Sequence, residues 1–250
     1  MAEAGGAALD TLVRRADEDR WMAARLAPAA TRARLIALYA VNYEIARVSE
    51  TTKEPHVGAI RFAWWREAVK AVAAGAPAPA HPAAEALAAA HRESPLPLTI
   101  FEVMLDARTR DFEAQPFATW QEQTDYADAT AGALMTLALA TCGGRHDDLA
   151  RDAGRAWALA GLLRARSFWE ARGRSVFPAE ARDREGAARL MENTARQAYA
   201  RAKAAARGLS SELFPALGYA ALVPVYLRKH ERARIARQIA LIGASLTGRI

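Results

Sequence analysis

Cysteine is nearly absent from this chain. Cys142 stands alone among 250 residues. No disulfide within the chain and no cysteine-based metal site can form, and a reducing compartment is expected. Lysine is almost as scarce. Lys53, Lys70, Lys203 and Lys229 are the only four, so the net charge of +6 rests on arginine. A mild basic excess suits an anionic membrane surface, a phosphorylated ligand or nucleic acid. No basic run is interleaved with aromatics as a nucleic-acid groove requires, so nucleic acid is not an expected partner. Long apolar runs are missing too. The longest uncharged stretches, 129–144 and 213–227, fall short of the roughly 18–20 residues of a spanning helix, and the second holds Pro215 and Pro224. The first residues show no positive region followed by an apolar one, so no signal peptide is expected. The expectation is a cytoplasmic protein, soluble or at most peripheral to the inner membrane.

Several catalytic signatures are also lacking. There is no glycine-rich phosphate loop after a strand, no His-Glu-x-x-His and no Gly-x-Ser-x-Gly. His56, His81, His91, His146 and His230 lie in or beside expected loops and helix ends, where surface histidines are ordinary. No alternation of period two is long enough for a sheet.

What remains is helical. The chain is 52% hydrophobic and rich in Ala, Leu and Arg. Helices are expected over about 9–25, 32–53, 55–74, 83–92, 98–111, 119–142, 149–171, 187–207, 215–227 and 231–246. Thr31 and Asp147 or Asp148 are expected caps, and Thr119-Trp120-Gln121-Glu122 matches a capping box. Glycines at 75, 143, 144 and 208 mark stops. The expected architecture is one all-α domain over 1–250.

One helix organises the rest. Leu38, Val41, Ile45 and Val48 recur at the spacing of one apolar stripe. Tyr39, Tyr43, Ala46 and Glu50 fall on a neighbouring stripe that is free to line a pocket.

Leu38-Tyr39-Ala40-Val41 after Arg32, Trp64-Trp65, and Tyr126 leading into Ala131-Gly132 together resemble the squalene and phytoene synthases. Gly161-Leu162-Leu163-Arg164 followed by Arg172-Gly173-Arg174-Ser175-Val176-Phe177-Pro178 resembles that family's second motif, an Asn-Ile-Leu-Arg-Asp-x-x-x-Asp run and a Gly-Arg-x-Tyr-Leu-Pro loop. The likeness spans about residues 17–180. It implies the isoprenoid synthase fold, with helices around a central cavity. It also implies two aspartate-rich motifs that hold Mg²⁺ against a diphosphate. Carried onto this chain, the first pair of aspartates falls at Ala46 and Glu50, with Arg47 beside the first. The second pair falls at Ala165 and Trp169. Only Glu50 keeps a carboxylate. Glu44, Glu170, Asp125 and Asp128 are shifted acids with weaker claims on a metal.

Asn42-Tyr43-Glu44-Ile45-Ala46, Thr51-Thr52-Lys53-Glu54-Pro55 and Trp64-Trp65-Arg66-Glu67 resemble a noncatalytic branch of the family that includes a mitochondrial assembly factor for respiratory complex I. The resemblance implies a role in maturing that complex, with its subunits or assembly intermediates as partners. It further implies a retained prenyl- or lipid-sized ligand near Tyr39, Asn42, Tyr43, Arg47, Glu50, Trp65, Arg164 and Arg174, and no metal or cofactor. Two alternatives stand beside it. One is a Mg²⁺-dependent head-to-head prenyltransferase. The other is a lipid- or anion-binding module, with Arg47, Arg61, Arg164, Arg166 and Arg174 around a phosphate. The stripe Ile235, Ile239, Ile242, Leu246, preceded by Arg228, Lys229, Arg232, Arg234 and Arg237, fits a peripheral contact with an anionic membrane.

Overall fold

Helices begin where a side chain satisfies a free amide and end where the chain cannot continue the ladder. In the computed structural model, which describes residues 2–228, 234–247 and 250, α1 (Ala2–Ala16) stops at Asp17. The Asp17 carboxylate accepts from the Arg20 amide at 3.3 Å and opens α2 (Glu18–Ala24). The single helix expected over 9–25 is therefore two. At φ −146° a capping aspartate cannot also carry a helix through. Next, α3 (Ala29–Ala46) starts directly after Pro28. Thr31 is inside it, not its cap, and its hydroxyl accepts from Arg34 at 3.2 Å. A second break falls at Arg47, before the single turn of α4 (Val48–Thr51). The apolar stripe crosses that break intact, and Leu38, Val41, Ile45 and Val48 are all buried.

Pro55 opens α5 (Pro55–Ala73), and Gly75 ends its turn at φ +69°. Its buried face is Phe62, Trp65, Val69 and Val72, while Ile60 is 66% exposed. Gly58 allows this register, because a Cβ there would meet the Phe112 ring at 2.0 Å. After α6 (Pro82–Glu93), α7 (Ile100–Arg108) runs into a 3₁₀ turn, Thr109–Phe112. Phe101, Met104 and Leu105 are fully buried on α7, as their spacing predicts.

Thr119 caps α8 (Trp120–Ala127), its hydroxyl accepting from the Glu122 amide at 3.1 Å. Glu122 in turn accepts from the Ala118 amide at 2.8 Å, which completes the capping box. The helix then widens into a π turn, Asp128–Gly132, before α9 (Ala133–Thr141), and leaves at Gly143 with φ +84°. Next come α10 (Asp147–Glu170), started at His146, and α11 (Arg184–Ala205), capped by Asp183. Ala156, Leu159 and Ala160 of α10 share one core with Met191, Ala195 and Ala198 of α11. The many alanines let helix faces meet closely.

Prolines divide the expected 215–227 helix into α12 (Phe214–Leu217), a 3₁₀ stretch, Gly218–Leu222, and α13 (Val223–Leu227). The last helix is α14 (Arg234–Thr247). There is no strand among the described residues.

Two compact units arise from these elements. One comprises Met1–Phe112, Leu137–Arg145 and Glu212–Ala216; the other comprises Glu113–Thr136, His146–Ser211 and Leu217–Ile250. Within the first, burial pushes the Cys142 thiol up to about 11, against smaller opposing effects of the Ala216 backbone and Arg34. The lone cysteine, half-buried, is therefore held as the neutral thiol.

Candidate functional site

The break between α3 and α4 builds the site in the first unit. The Arg47 amide still donates to the Tyr43 carbonyl at 2.9 Å, and the Arg47 carbonyl takes the Glu50 and Thr51 amides, both at 3.0 Å. Arg47 thus ends one helix and starts the next. Its guanidinium lies 5.3 Å from the centre of the Tyr43 ring and donates to Glu44 at 3.3 Å. On α5, Arg61, Trp64 and Trp65 stand at i, i+3 and i+4, the spacing of one helix face. The Arg61 guanidinium donates to the Thr51 hydroxyl at 2.5 Å.

His81, at the start of α6, closes the group. Its ring centre is 5.6 Å from Trp64 and 5.1 Å from Trp65, and the two indoles are 5.0 Å apart, all edge to face. His81 Nδ1 accepts from the Ala83 amide at 3.2 Å. In the neutral ring the proton is therefore on Nε2. A cavity of about 360 Å³ lies among Glu44, Arg47, Val48, Thr51, Arg61, Trp64, Trp65 and His81. Two guanidiniums against one carboxylate leave it cationic, and the indoles give it a flat apolar wall. A volume of this order holds a small organic molecule.

Of the residues expected to bind a ligand, Arg47 and Trp65 meet here. Tyr39 is buried within the first unit, and Tyr43 is the ring beneath Arg47. Asn42, Ala46 and Glu50 do not line this cavity, and Glu50 is exposed. His81 escaped the sequence reading because it arrives from a loop thirty residues further on. The only local hint was the proline-stiffened run 77–82 leading to it.

In the second unit, Ala165 and Trp169 share a face of α10 four residues apart. Arg164 lies 4.3 Å from the centre of the Tyr226 ring, and Arg174 lies 5.3 Å from that of Trp169. Arg174 also donates to the Glu113 carbonyl at 3.0 Å. The shifted acids are engaged by neighbours. Glu170 pairs with Arg166 at 2.9 Å and Arg184 at 3.5 Å, and Asp125 accepts from Gln121 at 2.8 Å. Asp128 takes Arg155 in a two-pronged pair, and Asp152 takes Arg201 likewise. Those hydrogen bonds raise both arginine pKa values further above the range where they could lose a proton.

A magnesium cluster needs several hard oxygen ligands converging on one point. Among the described residues, no group of three or more His, Cys, Asp or Glu is placed to hold a metal ion. The donor set of the described residues does not fit the magnesium cluster that the resemblance implies.

The squalene/phytoene synthase family model matches residues 13–242. Mouse NADH dehydrogenase (ubiquinone) complex I, assembly factor 6, is 26% identical over 241 residues, covering 88% of this chain and 72% of that protein. The bovine and human proteins of that name are each 28% identical, over 170 and 169 residues. The chain spans about half the length of those two (51% and 50%). Among solved structures, a dehydrosqualene synthase in complex with ligand has a TM-score of 0.77 at 15% identity, covering 98% of this chain and 96% of that one. Squalene synthase HpnC from Alicyclobacillus acidocaldarius has 0.70 at 17% identity, covering 99% and 95%. At such identities these two speak for the fold alone, the all-α isoprenoid synthase fold. With the family model matched over nearly its whole length, the chain belongs to the squalene/phytoene synthase family.

Proposed function

We propose that this chain is a noncatalytic member of its family that acts in the assembly of respiratory complex I, from the cytoplasmic side and peripheral to the membrane. One observation carries the reading. Of the four positions where family resemblance puts metal-holding carboxylates, three are Ala46, Ala165 and Trp169, and a cation, Arg47, stands beside the first. Without a metal cluster an allylic diphosphate has no electrophilic help to ionise. The names of the curated relatives supply the direction in which such a protein acts. Among the described residues, no helix is long and apolar enough to cross a membrane, which agrees with a peripheral role.

The test has two arms. Deleting the gene should lower assembled complex I, and rescue by the Glu50→Ala variant should equal rescue by the wild type. Purified protein given farnesyl diphosphate and Mg²⁺ should release no pyrophosphate. Mg²⁺-dependent turnover would establish the prenyltransferase alternative instead.

The cavity favours a second reading that is compatible with the first. It suits an organic anion, with its phosphate or carboxylate between Arg47 and Arg61 and its flat or apolar body on Trp64. Hydrogen bonds to a charged group are worth about 1.5–3 kcal/mol each, so Arg47→Ala and Arg61→Ala should each weaken binding roughly 10–100-fold. Tryptophan fluorescence during titration with a prenyl monophosphate, in EDTA, checks this. Wild-type affinity in both variants would rule out this cavity as the anion site.

A further inference from the structure

The last helix carries a pattern that packing does not explain. On α14, Leu241 is buried, and Arg237, Ala240 and Ala244 on the same side are partly covered. That side packs on Gly218–Leu222 and Val223–Leu227, and Arg237 donates to the Tyr226 hydroxyl at 3.4 Å. The opposite side is Ile239, Ile242 and Leu246, at 66%, 55% and 83% exposure. Gln238 and Gly243 complete the same exposed arc. At i, i+3 and i+7 these three form one continuous apolar stripe. The periodicity predicted the stripe. The structure turns it outward. Ile235, expected to extend the stripe, has its side chain outside the described residues, as do Arg234, Lys229 and Arg232.

Charge is concentrated on the same segment. Residues 228–250 hold six Lys and Arg against the single Glu231, a net +5, so the other 227 residues together carry only +1. Within α14 itself there is no acidic residue. An exposed branched-aliphatic stripe on a cationic helix is not what a solvated face or a neutral protein groove selects. It is what an interface of acyl chains beneath negative headgroups selects, because burial of the stripe and attraction of the flanking charges then act together.

We infer that α14 is a membrane-surface anchor that lies in the plane of an anionic bilayer, with Ile239, Ile242 and Leu246 sunk below the headgroups and the net positive charge of the segment 228–250 drawing it to the surface. This deepens the peripheral element of the function proposed above and does not rest on its complex I element.

Vesicle flotation tests it with the full chain at low salt. The vesicles are phosphatidylcholine alone, or phosphatidylcholine with about one third phosphatidylglycerol. The wild type should float with the anionic vesicles and stay behind with the neutral ones. Combined Ile239→Ser, Ile242→Ser and Leu246→Ser should weaken flotation by more than about a hundredfold, since each removes several methylenes from the lipid. Paired Arg232→Gln and Arg234→Gln should weaken it more than about tenfold and flatten its salt dependence. The changed apolar side chains are exposed, so circular dichroism and Tm should match the wild type.

Three results would overturn the inference. They are no flotation with anionic vesicles, flotation untouched by the triple variant, and a stripe-dependent dimer in place of flotation, which would make a second copy the occupant. Complementation of a complex I defect is read separately. A chain that floats normally yet rescues nothing refutes the assembly role alone, and a chain that rescues without floating refutes the anchor alone.

Discussion

Replacing Gly154 with alanine is expected to cost about 3 kcal/mol or more, whereas Gly161→Ala in the same helix is expected to gain about 0.5–1 kcal/mol. Both are glycines in the interior of α10, and both carry the same entropic penalty there. They differ in what stands opposite. A Cβ on Gly154 would lie 2.4 Å from the Gly132 Cα and amide nitrogen and 2.6 Å from the Ala131 carbonyl carbon. These are backbone atoms, which cannot swing aside as a side chain can, so the two segments must part. Nothing lies within 4 Å of a Cβ on Gly161. The facing backbone is the π turn, Asp128–Gly132. Its extra residue brings Gly132 against α10, and Arg155, next to Gly154, holds Asp128 at the turn's beginning. The approach is asymmetric. A Cβ on Gly132 would find its nearest neighbour, the Arg151 Cα, at an ordinary 3.5 Å. Gly132→Ala should therefore be mild. Thermal unfolding of the three variants checks the ranking, with Gly154→Ala lower in Tm by roughly 6–12 °C.

That contact also marks a limit of what the sequence discloses. Helix spacing and stops were open to reading, since they are local. The stripe on α3 and α4 is buried at the positions its period names, and Gly75, Gly143 and Gly208 all turn with positive φ where helices were expected to end. The break at Asp17 was half-visible, because an aspartate followed by two acids is a helix start as well as a solvated face. The π turn was not visible. It depends on Gly154 and Arg155, more than twenty residues away, meeting the 128–132 segment. The orientation of α14 was closed for a different reason. A period says that an apolar stripe exists but not whether it faces the core or the solvent. In the candidate site, Arg47 and Trp65 were named from sequence, and Arg61 was among the candidate anion ligands. Glu44 and His81 were set aside, since their part in the cavity follows from how α3, α5 and α6 pack.

Trp64 and Trp65 are adjacent in sequence and should nevertheless behave oppositely. Trp65 is 4% exposed and Trp64 39%. Both line the cavity; from sequence, plain core packing was the stronger reading of the pair, and ligand contact was expected of Trp65 alone. One residue on a helix is a rotation of about 100°, enough to put one indole in the core and leave the other at the rim. Trp65→Ala should cost about 3–5 kcal/mol, the usual loss for a buried large aromatic, and its effect on ligand binding should be inseparable from that loss. Trp64→Ala should cost below about 1 kcal/mol, yet weaken binding of a prenyl monophosphate several-fold by removing the exposed half of the apolar wall. Chemical denaturation and fluorescence titration of the two variants decide the matter. If Trp64→Ala binds as the wild type does, the indole pair is core alone and the cavity's selectivity rests on Arg47, Arg61 and His81. If Trp64→Ala keeps wild-type stability and loses binding, the Trp-Trp pair divides its labour. Trp65 then holds the α5 register, and Trp64 meets the ligand.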